Sequence, residues 1–172
     1  MNFKRASLLV GGAVSALVLA LANATAASAT TDGHAWNWSP SVNECLTAEN
    51  PQSMFVIMDT CGTGLSENQD WYAFYDSTYG YDTIQDGWGH CLGVSGDSPY
   101  EGANITTYSC NSNKDQRWLP LPNSATGYYE WQTQGSKMCL SIANGSLSSG
   151  AQAIQWPCHN TADQLWGGSL QL

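Results

Sequence analysis

The sequence predicts an all-β domain in which three similar units close into one barrel. One observation behind this prediction is a pattern of cysteine, leucine, glutamine and tryptophan that occurs three times after residue 29, in steps of 47 and 48 residues. Another is that no segment keeps a helical apolar period for three turns, whereas residues typical of turns recur every few positions. Because a unit of this length cannot bury a core alone, the three units must share one.

A secretory leader is predicted before the repeats. Two basic side chains are followed by an apolar run from Leu8 to Leu21 and by the small residues Ala27, Ser28 and Ala29, which is the pattern of a signal peptide with its cleavage site. The run of 14 residues is shorter than the roughly 20 that a membrane helix needs. We therefore expect a signal peptide over residues 1–29, a secreted extracellular domain over residues 30–172, and no membrane association.

The composition after residue 29 excludes one class of partner and indicates an unusual core. Residues 30–172 carry 3 basic and 14 acidic side chains, a net charge of −11. Three bases are too few to neutralise a phosphate backbone, so nucleic acid is not an expected ligand. Leucine, isoleucine, valine and phenylalanine number only 20 of these 143 residues. Eight tryptophans, eight tyrosines and six cysteines therefore predict a core of aromatic rings and cross-links.

Each of the three units has the same order of landmarks. A unit opens with Cys-Leu, reaches a second cysteine 16 or 19 residues later, and continues to a Gln-x-Trp triplet whose tryptophan we expect in the core. The units span approximately residues 36–77, 78–125 and 126–172, and are called units one, two and three. Aromatic or β-branched runs predict strands at Trp71–Tyr75, Ile105–Tyr108 and Tyr128–Trp131. The three triplet tryptophans are Trp71, Trp118 and Trp166.

The six cysteines predict three disulfide bonds, one within each unit. Six cysteines allow 15 pairings, and the repeat selects the one that joins equivalent positions in every unit. Zinc sites usually include cysteine pairs two to four residues apart, which this sequence lacks, so no metal and no cofactor are expected. The predicted bonds are Cys45–Cys61, Cys91–Cys110 and Cys139–Cys158.

Three units of Cys-Leu, second cysteine and Gln-x-Trp resemble the ricin B-type lectin family. The resemblance covers essentially all of residues 30–172. It implies a β-trefoil, in which three subdomains related by pseudo-threefold symmetry can each hold one shallow sugar site, usually for galactose-type or xylan-type glycans. Since a fold alone does not establish a function, each unit has to be compared with the family's binding pattern.

Units two and three match the aromatic part of that pattern. In the family, a ring that stacks on the sugar lies two residues before the second cysteine, where this sequence has Tyr108 and Trp156. Unit one has Asp59 there, which cannot stack. The family's polar partners are the triplet Gln and an Asn directly before it, which bond sugar hydroxyls. The matching residues are Asn68 in unit one, Asp115 with Gln116 in unit two, and Asp163 with Gln164 in unit three.

The sequence departs from the family at one position. An Asp that directly follows Cys-Leu in binding repeats is replaced by Thr47, Gly93 and Ser141. Asp97 and Asn144, on the turns after the first cysteine of units two and three, are candidates to substitute for it. Two outcomes stay open: altered sugar specificity, and a trefoil that has lost its sugar sites and binds or inhibits a protein.

We favour a non-catalytic protein that binds a neutral oligosaccharide or polysaccharide through units two and three. The negative charge disfavours acidic glycans, and aromatic rings suit neutral ones. Catalytic motifs such as Gly-x-Ser-x-Gly and His-Glu-x-x-His are absent, and no carboxylate pair is singled out for glycan hydrolysis. The protein-binding alternative predicts that Tyr108 and Trp156 are packed or isolated, rather than surrounded by hydrogen-bonding groups.

Overall fold

Eleven β-strands make up most of the described part of the chain, which comprises residues 34–35, 43–51, 54–62, 66–146 and 148–167 of a computed structural model. Short 3₁₀ turns are the other regular elements there, so the all-β prediction is confirmed. None of the described segments forms a helix with the length and apolar character that a membrane span requires. The predicted signal peptide lies outside the described residues. The strands are β1 (His34–Ala35), β2 (Glu44–Ala48), β3 (Val56–Thr60), β4 (Asp70–Asp76), β5 (Tyr81–Asp86), β6 (Cys91–Val94), β7 (Ile105–Tyr108), β8 (Trp118–Asn123), β9 (Tyr128–Thr133), β10 (Cys139–Ile142) and β11 (Ala153–Trp156).

Three short hairpins form a closed triangle. The hairpins β2–β3, β6–β7 and β10–β11 each contain the Cys-Leu of one unit. Single backbone bridges at or beside their second strands join β3 to β7, β7 to β11 and β11 to β3. Inside the triangle, the Gln152 Nε2 donates hydrogen bonds to the carbonyls of Val56, Ile105 and Ala153, at 2.8, 3.4 and 2.8 Å. These carbonyls occupy equivalent positions in the three units, so this amide marks the pseudo-threefold axis.

The barrel below the hairpins repeats one strand contact three times. Two longer hairpins, β4–β5 and β8–β9, carry the triplet tryptophans of units one and two. In every unit, the backbone of that tryptophan pairs with a residue that precedes the first cysteine of the unit. The predicted threefold β-trefoil is therefore confirmed, and the three predicted strand segments lie within β4, β7 and β9. The three pairs are Trp71 with His34, Trp118 with Asp82, and Trp166 with Tyr129.

The triplet tryptophans lie in the core, as predicted. Trp71, Trp118 and Trp166 are at most 2% exposed. Each indole N–H donates a hydrogen bond to the carbonyl of the leucine in its own Cys-Leu pair, at 2.9, 2.9 and 3.2 Å, so a polar group in the core is satisfied as well as buried. Trp131 in β9 is also buried. The repeat did not indicate this residue, because Ile84 takes the matching place in unit two.

The predicted disulfide pairing is confirmed. Cys45 bonds Cys61, Cys91 bonds Cys110 and Cys139 bonds Cys158, with Cα–Cα distances of 5.0, 4.9 and 5.0 Å. Each bond joins the two ends of a short hairpin, and therefore fixes the segment that leads from the hairpin to Gln-x-Trp. The triangle of hairpins thus has one cross-link in every unit.

Candidate functional site

A cleft of about 590 Å³ opens beside β11 in unit three. Trp156 ends this strand, lines the cleft and is 38% exposed. The volume lies in the range of roughly 300 to 1,000 Å³ that is usual for ligand sites. Ser141, Asn144 and Asp163 supply the polar groups that face it. The other lining residues are Gly102, Asn104, Ile142, Ala143, Gly145, Gln152 and Ile154.

The carboxylate in this cleft is held by a serine. The Ser141 hydroxyl donates a hydrogen bond of 2.6 Å to the Asp163 Oδ2, which orients the carboxylate and leaves Oδ1 to accept from a ligand. Ser141 is buried in β10 and occupies the position where the resemblance led us to expect an Asp. The acidic group of this site therefore comes from the residue before Gln-x-Trp, and the residue after Cys-Leu positions it.

A tight turn after β10 places Asn144 at the rim of the cleft. Asn144 and Gly145 have φ angles of 59° and 61°, a left-handed conformation that asparagine and glycine adopt more easily than other residues. Unit two has the matching turn at Gly96 and Asp97, with φ angles of 64° and 51°. The two predicted substitutes are therefore not equivalent, because Asp97 matches Gly145 whereas Asn144 matches Gly96.

The glutamines of the triplets shape the sites without reaching their surface. Gln116 and Gln164 are fully buried, which corrects the prediction that they contact the sugar. Each Oε1 accepts a hydrogen bond of 2.7 Å from the backbone N–H that follows the second cysteine. Each Nε2 donates to the carbonyl that precedes this cysteine, at 3.2 Å from Gln116 and 2.9 Å from Gln164. Both amides are thus used to hold the chain around the disulfide.

Unit two has the predicted residues in a different arrangement. Tyr108 is half-buried, and its hydroxyl lies 2.9 Å from the point that a Cβ of Gly93 would occupy. Asp115 is 2% exposed, and its Oδ2 lies 3.1 Å from the same point. Burial raises the pKa of the Asp115 carboxyl, and the nearby Asp97 carboxylate raises it further, against the opposing effect of a backbone hydrogen bond. The tyrosine hydroxyl therefore lies where the family's Asp side chain would begin.

Unit one is bonded to itself rather than open. The Asp59 Oδ1, at the position of the ring, accepts hydrogen bonds from the Ser149 hydroxyl at 2.6 Å and from the Thr60 N–H at 2.8 Å. The Asn68 side chain accepts a hydrogen bond from the Ser66 hydroxyl. Thr47 is buried, donates to a backbone carbonyl and accepts from the Gln69 amide. Asn68 therefore has no aromatic partner within its unit at this position.

One group of potential metal ligands occurs among the described residues. The ligand atoms of Glu130, Cys139 and Cys158 lie within 4.8 Å of one another. Both sulfurs belong to a disulfide, so neither is available as the thiolate that binds a metal. The group is explained by the cross-link of unit three.

The part of the cleft that sequence reasoning missed comes from the neighbouring unit. Gly102 and Asn104 belong to unit two, but they line the cleft of unit three. A Cβ on Gly102 would lie 3.9 Å from the Trp156 Cζ3, so the glycine leaves the indole edge open. The alignment of Gly102 with Gly150 gave a signal that the glycine recurs, but none that it faces another unit's ring.

Solved structures with the same architecture include a designed protein and natural lectins. ThreeFoil, a designed protein with threefold symmetry, is 28% identical, with a TM-score of 0.70 over 82% of this chain and 100% of its own. The Polyporus squamosus lectin, solved with the epitope Neu5Aca2-6Galb1-4GlcNAc, is 17% identical with a TM-score of 0.66. That match covers 81% of this chain and 49% of the lectin, so the chain spans about half of it.

A third similar structure is the C-terminal half of the earthworm R-type lectin, solved with GalNAc. It is 19% identical, with a TM-score of 0.60, over 80% of this chain and 98% of that one. No curated protein sequence matches the chain. A family model described as "Ricin-type beta-trefoil lectin domain-like" matches residues 67–156 and 121–169, which together are more than half of the sequence. The chain therefore belongs to the ricin-type β-trefoil lectin domain-like family.

Proposed function

We propose that the protein is a secreted, non-catalytic lectin that binds neutral glycans of galactose or xylan type through the cleft of unit three. The observation that carries the proposal is an exposed indole, that of Trp156, beside a carboxylate that Ser141 orients. The indole face can stack on the apolar C–H face of a pyranose ring. Asp163 accepts hydrogen bonds from hydroxyls, and the Asn144 amide both donates and accepts them. Binding of this kind requires no covalent step.

The charge of the site favours neutral over acidic sugars. Residues 30–172 carry a net charge of −11, and the oriented Asp163 lines the cleft itself. A sugar carboxylate or sulfate placed there would be repelled, whereas hydroxyl groups are donors that a carboxylate accepts well. The family membership supports carbohydrate as the ligand class, and the similar lectins were solved with GalNAc and with a galactose-containing epitope.

A binding assay with one pair of variants tests this proposal. The protein would be applied to immobilised galacto-oligosaccharides and xylo-oligosaccharides, and retention measured. We expect Trp156→Ala to abolish retention, because it removes the stacking surface. The matched control is Tyr75→Ala, since Tyr75 is a 61% exposed ring on β4 that does not line the cleft. Retention of Trp156→Ala equal to that of the unmodified protein would show that the cleft is not the binding site.

A protein-binding trefoil is the second candidate, and the other two units favour it. Unit one has Asp59 bonded within the chain in place of a ring, and Tyr108 of unit two lies over Gly93. A protein partner would need neither sugar site. If the unmodified protein retains no neutral glycan in the same assay, this alternative replaces the lectin proposal.

A further inference from the structure

Unit two contains a buried carboxylate that the rest of the molecule leaves unsatisfied. Asp115 is 2% exposed, and neither of its carboxylate oxygens has a hydrogen-bond partner among the described residues. Buried polar groups in folded proteins are nearly always paired, so an orphaned carboxylate needs an explanation. The equivalent Asp163 in unit three shows the contrast, because Ser141 donates to it. The matching residue in unit two is Gly93, which has no side chain to donate.

Tyr108 covers the place from which a ligand would reach this carboxylate. Its hydroxyl and the Asp115 Oδ2 lie 2.9 and 3.1 Å from one point above Gly93. A side chain at Gly93 would occupy that point, so the glycine is what allows the ring to lie there. Tyr108 is only half-buried, and rotation of its side chain towards solvent would uncover Asp115.

The surroundings of Asp115 are negative. The Asp97 Oδ1 and the Asp115 backbone N both lie close to Gly135, at 3.4 and 3.6 Å from the point that a Cβ of Gly135 would occupy. Of the nearby bases, the Arg117 guanidinium lies 3.3 Å from the centre of the Tyr79 ring and donates to the Ser112 carbonyl and the Gln134 side chain. The Lys137 Nζ donates to the Tyr81 hydroxyl at 2.8 Å, and Lys114 is exposed. No base among the described residues is bonded to Asp115.

We propose that unit two is a closed second site for a sugar that carries a protonated amine, reached when Tyr108 turns away from Gly93. An ammonium group offers three donors and a positive charge, which suits two carboxylates of which one is buried and unpaired. The turned-out ring can contribute a cation–π contact to the same group. The inference rests on the proposed function only in that the ligand is a carbohydrate, and it concerns a different unit from the neutral-sugar cleft.

The ligand has to open the site, so its affinity depends on the fraction of molecules in which Tyr108 is turned out. A neutral sugar would gain hydrogen bonds to Asp115 but would leave its charge uncompensated. An amine compensates the charge and forms charge-assisted hydrogen bonds, which are stronger than neutral ones. The amine is therefore the feature that should decide whether unit two binds.

The test compares two sugars that differ only in the amine. Binding of glucosamine oligomers and of N-acetylglucosamine oligomers of equal length would be measured by calorimetry at about pH 6.5, where ordinary carboxyl groups are ionised. The protein would carry Trp156→Ala, so that unit three does not contribute. We expect the glucosamine oligomer to bind at least about tenfold more tightly than the acetylated one. Asp115→Asn should weaken its binding about tenfold, which is about 1.4 kcal/mol.

Two further variants make the test specific. Asp97→Asn, at an exposed position, should weaken amine binding by a smaller factor, and it keeps the proposal testable if Asp115→Asn does not fold. The matched control is Asp76→Asn on β4, whose Oδ1 accepts only a local backbone hydrogen bond from Thr78, and it should change nothing. Equal affinity for the two oligomers, or amine binding unaffected by both Asp115→Asn and Asp97→Asn, would overturn the proposal. Neither result depends on whether unit three binds a neutral glycan.

Discussion

Replacement of Asp82 by asparagine should stabilise the protein at neutral pH, because this aspartate is buried in the barrel. Asp82 lies in β5, where its backbone pairs with that of Trp118, and it is 8% exposed. Burial raises the pKa of its carboxyl from 3.8 to about 6. The folded state therefore favours the protonated form, and ionisation of this group works against folding.

The sign and size of the effect follow from the two pKa values. Below pH 4 the carboxyl is protonated in both the folded and the unfolded state, and the folded state has its full stability. As the pH rises from about 4 to about 6, the unfolded state ionises first, and the free energy of unfolding falls. A difference of about two pKa units corresponds to about 3 kcal/mol lost by pH 7. Asparagine cannot ionise, so Asp82→Asn should keep that free energy.

Urea denaturation followed by tryptophan fluorescence, repeated between about pH 4 and pH 8, measures this difference. The two proteins should be equally stable at about pH 4, and the variant should be more stable by up to about 3 kcal/mol at pH 7. Asp76→Asn is the control for loss of one negative charge, since Asp76 bonds a local N–H that asparagine can also bond. A stability difference for Asp82→Asn that stays constant over this pH range would refute the argument from burial.

Three other outcomes are expected on the same structural grounds. Trp118→Phe should lower the free energy of unfolding by about 1 to 3 kcal/mol, because the carbonyl that now accepts the indole N–H at 2.9 Å loses its partner; denaturation of the purified variant measures this loss. Replacement of both Cys139 and Cys158 by alanine should cost about 2 to 4 kcal/mol, seen as a lower midpoint of thermal unfolding, and an unchanged midpoint would show that the hairpin is held without its cross-link. Gln116→Ala should destabilise unit two by about 1 to 3 kcal/mol, because it leaves the buried Asn111 N–H without its acceptor. Gln116→Glu, which retains that acceptor, should restore part of the loss.

The fold was predictable because it depends on contacts that recur once in every unit. The Cys-Leu pair, the second cysteine and the triplet tryptophan stand at a constant spacing, and each is involved in the same contact three times over. A repeated contact leaves a repeated pattern, so the pairing of all six cysteines and the burial of three indoles could be derived without coordinates. Trp131 escaped this reasoning because it has no counterpart in unit two.

The candidate site was predictable only in part, because it depends on how the units differ and on how they meet. Trp156, Asp163 and Asn144 do line one cleft. The fully buried Gln116 and Gln164 do not reach a ligand, since a triplet glutamine is positioned by the same backbone contacts in units two and three whether or not the unit has a cleft. Tyr108 and Trp156 occupy matching positions, but only Trp156 lines the cleft, because unit two has a glycine where unit three has a serine.

The sequence by itself determined the fold class, the threefold repeat, the disulfide pairing and the indole core. Each of these follows from positions that are related along the chain, and spacing along the chain is what a sequence records. Only the tertiary structure decided that Gly102 of unit two opens the edge of Trp156 in unit three, that Ser141 orients Asp163, and that Asp115 is buried without a partner. These depend on distances between side chains that lie far apart in the sequence or in different units. Whether a side chain is covered by a neighbour or left open to a ligand is set by those distances, and no periodicity encodes them.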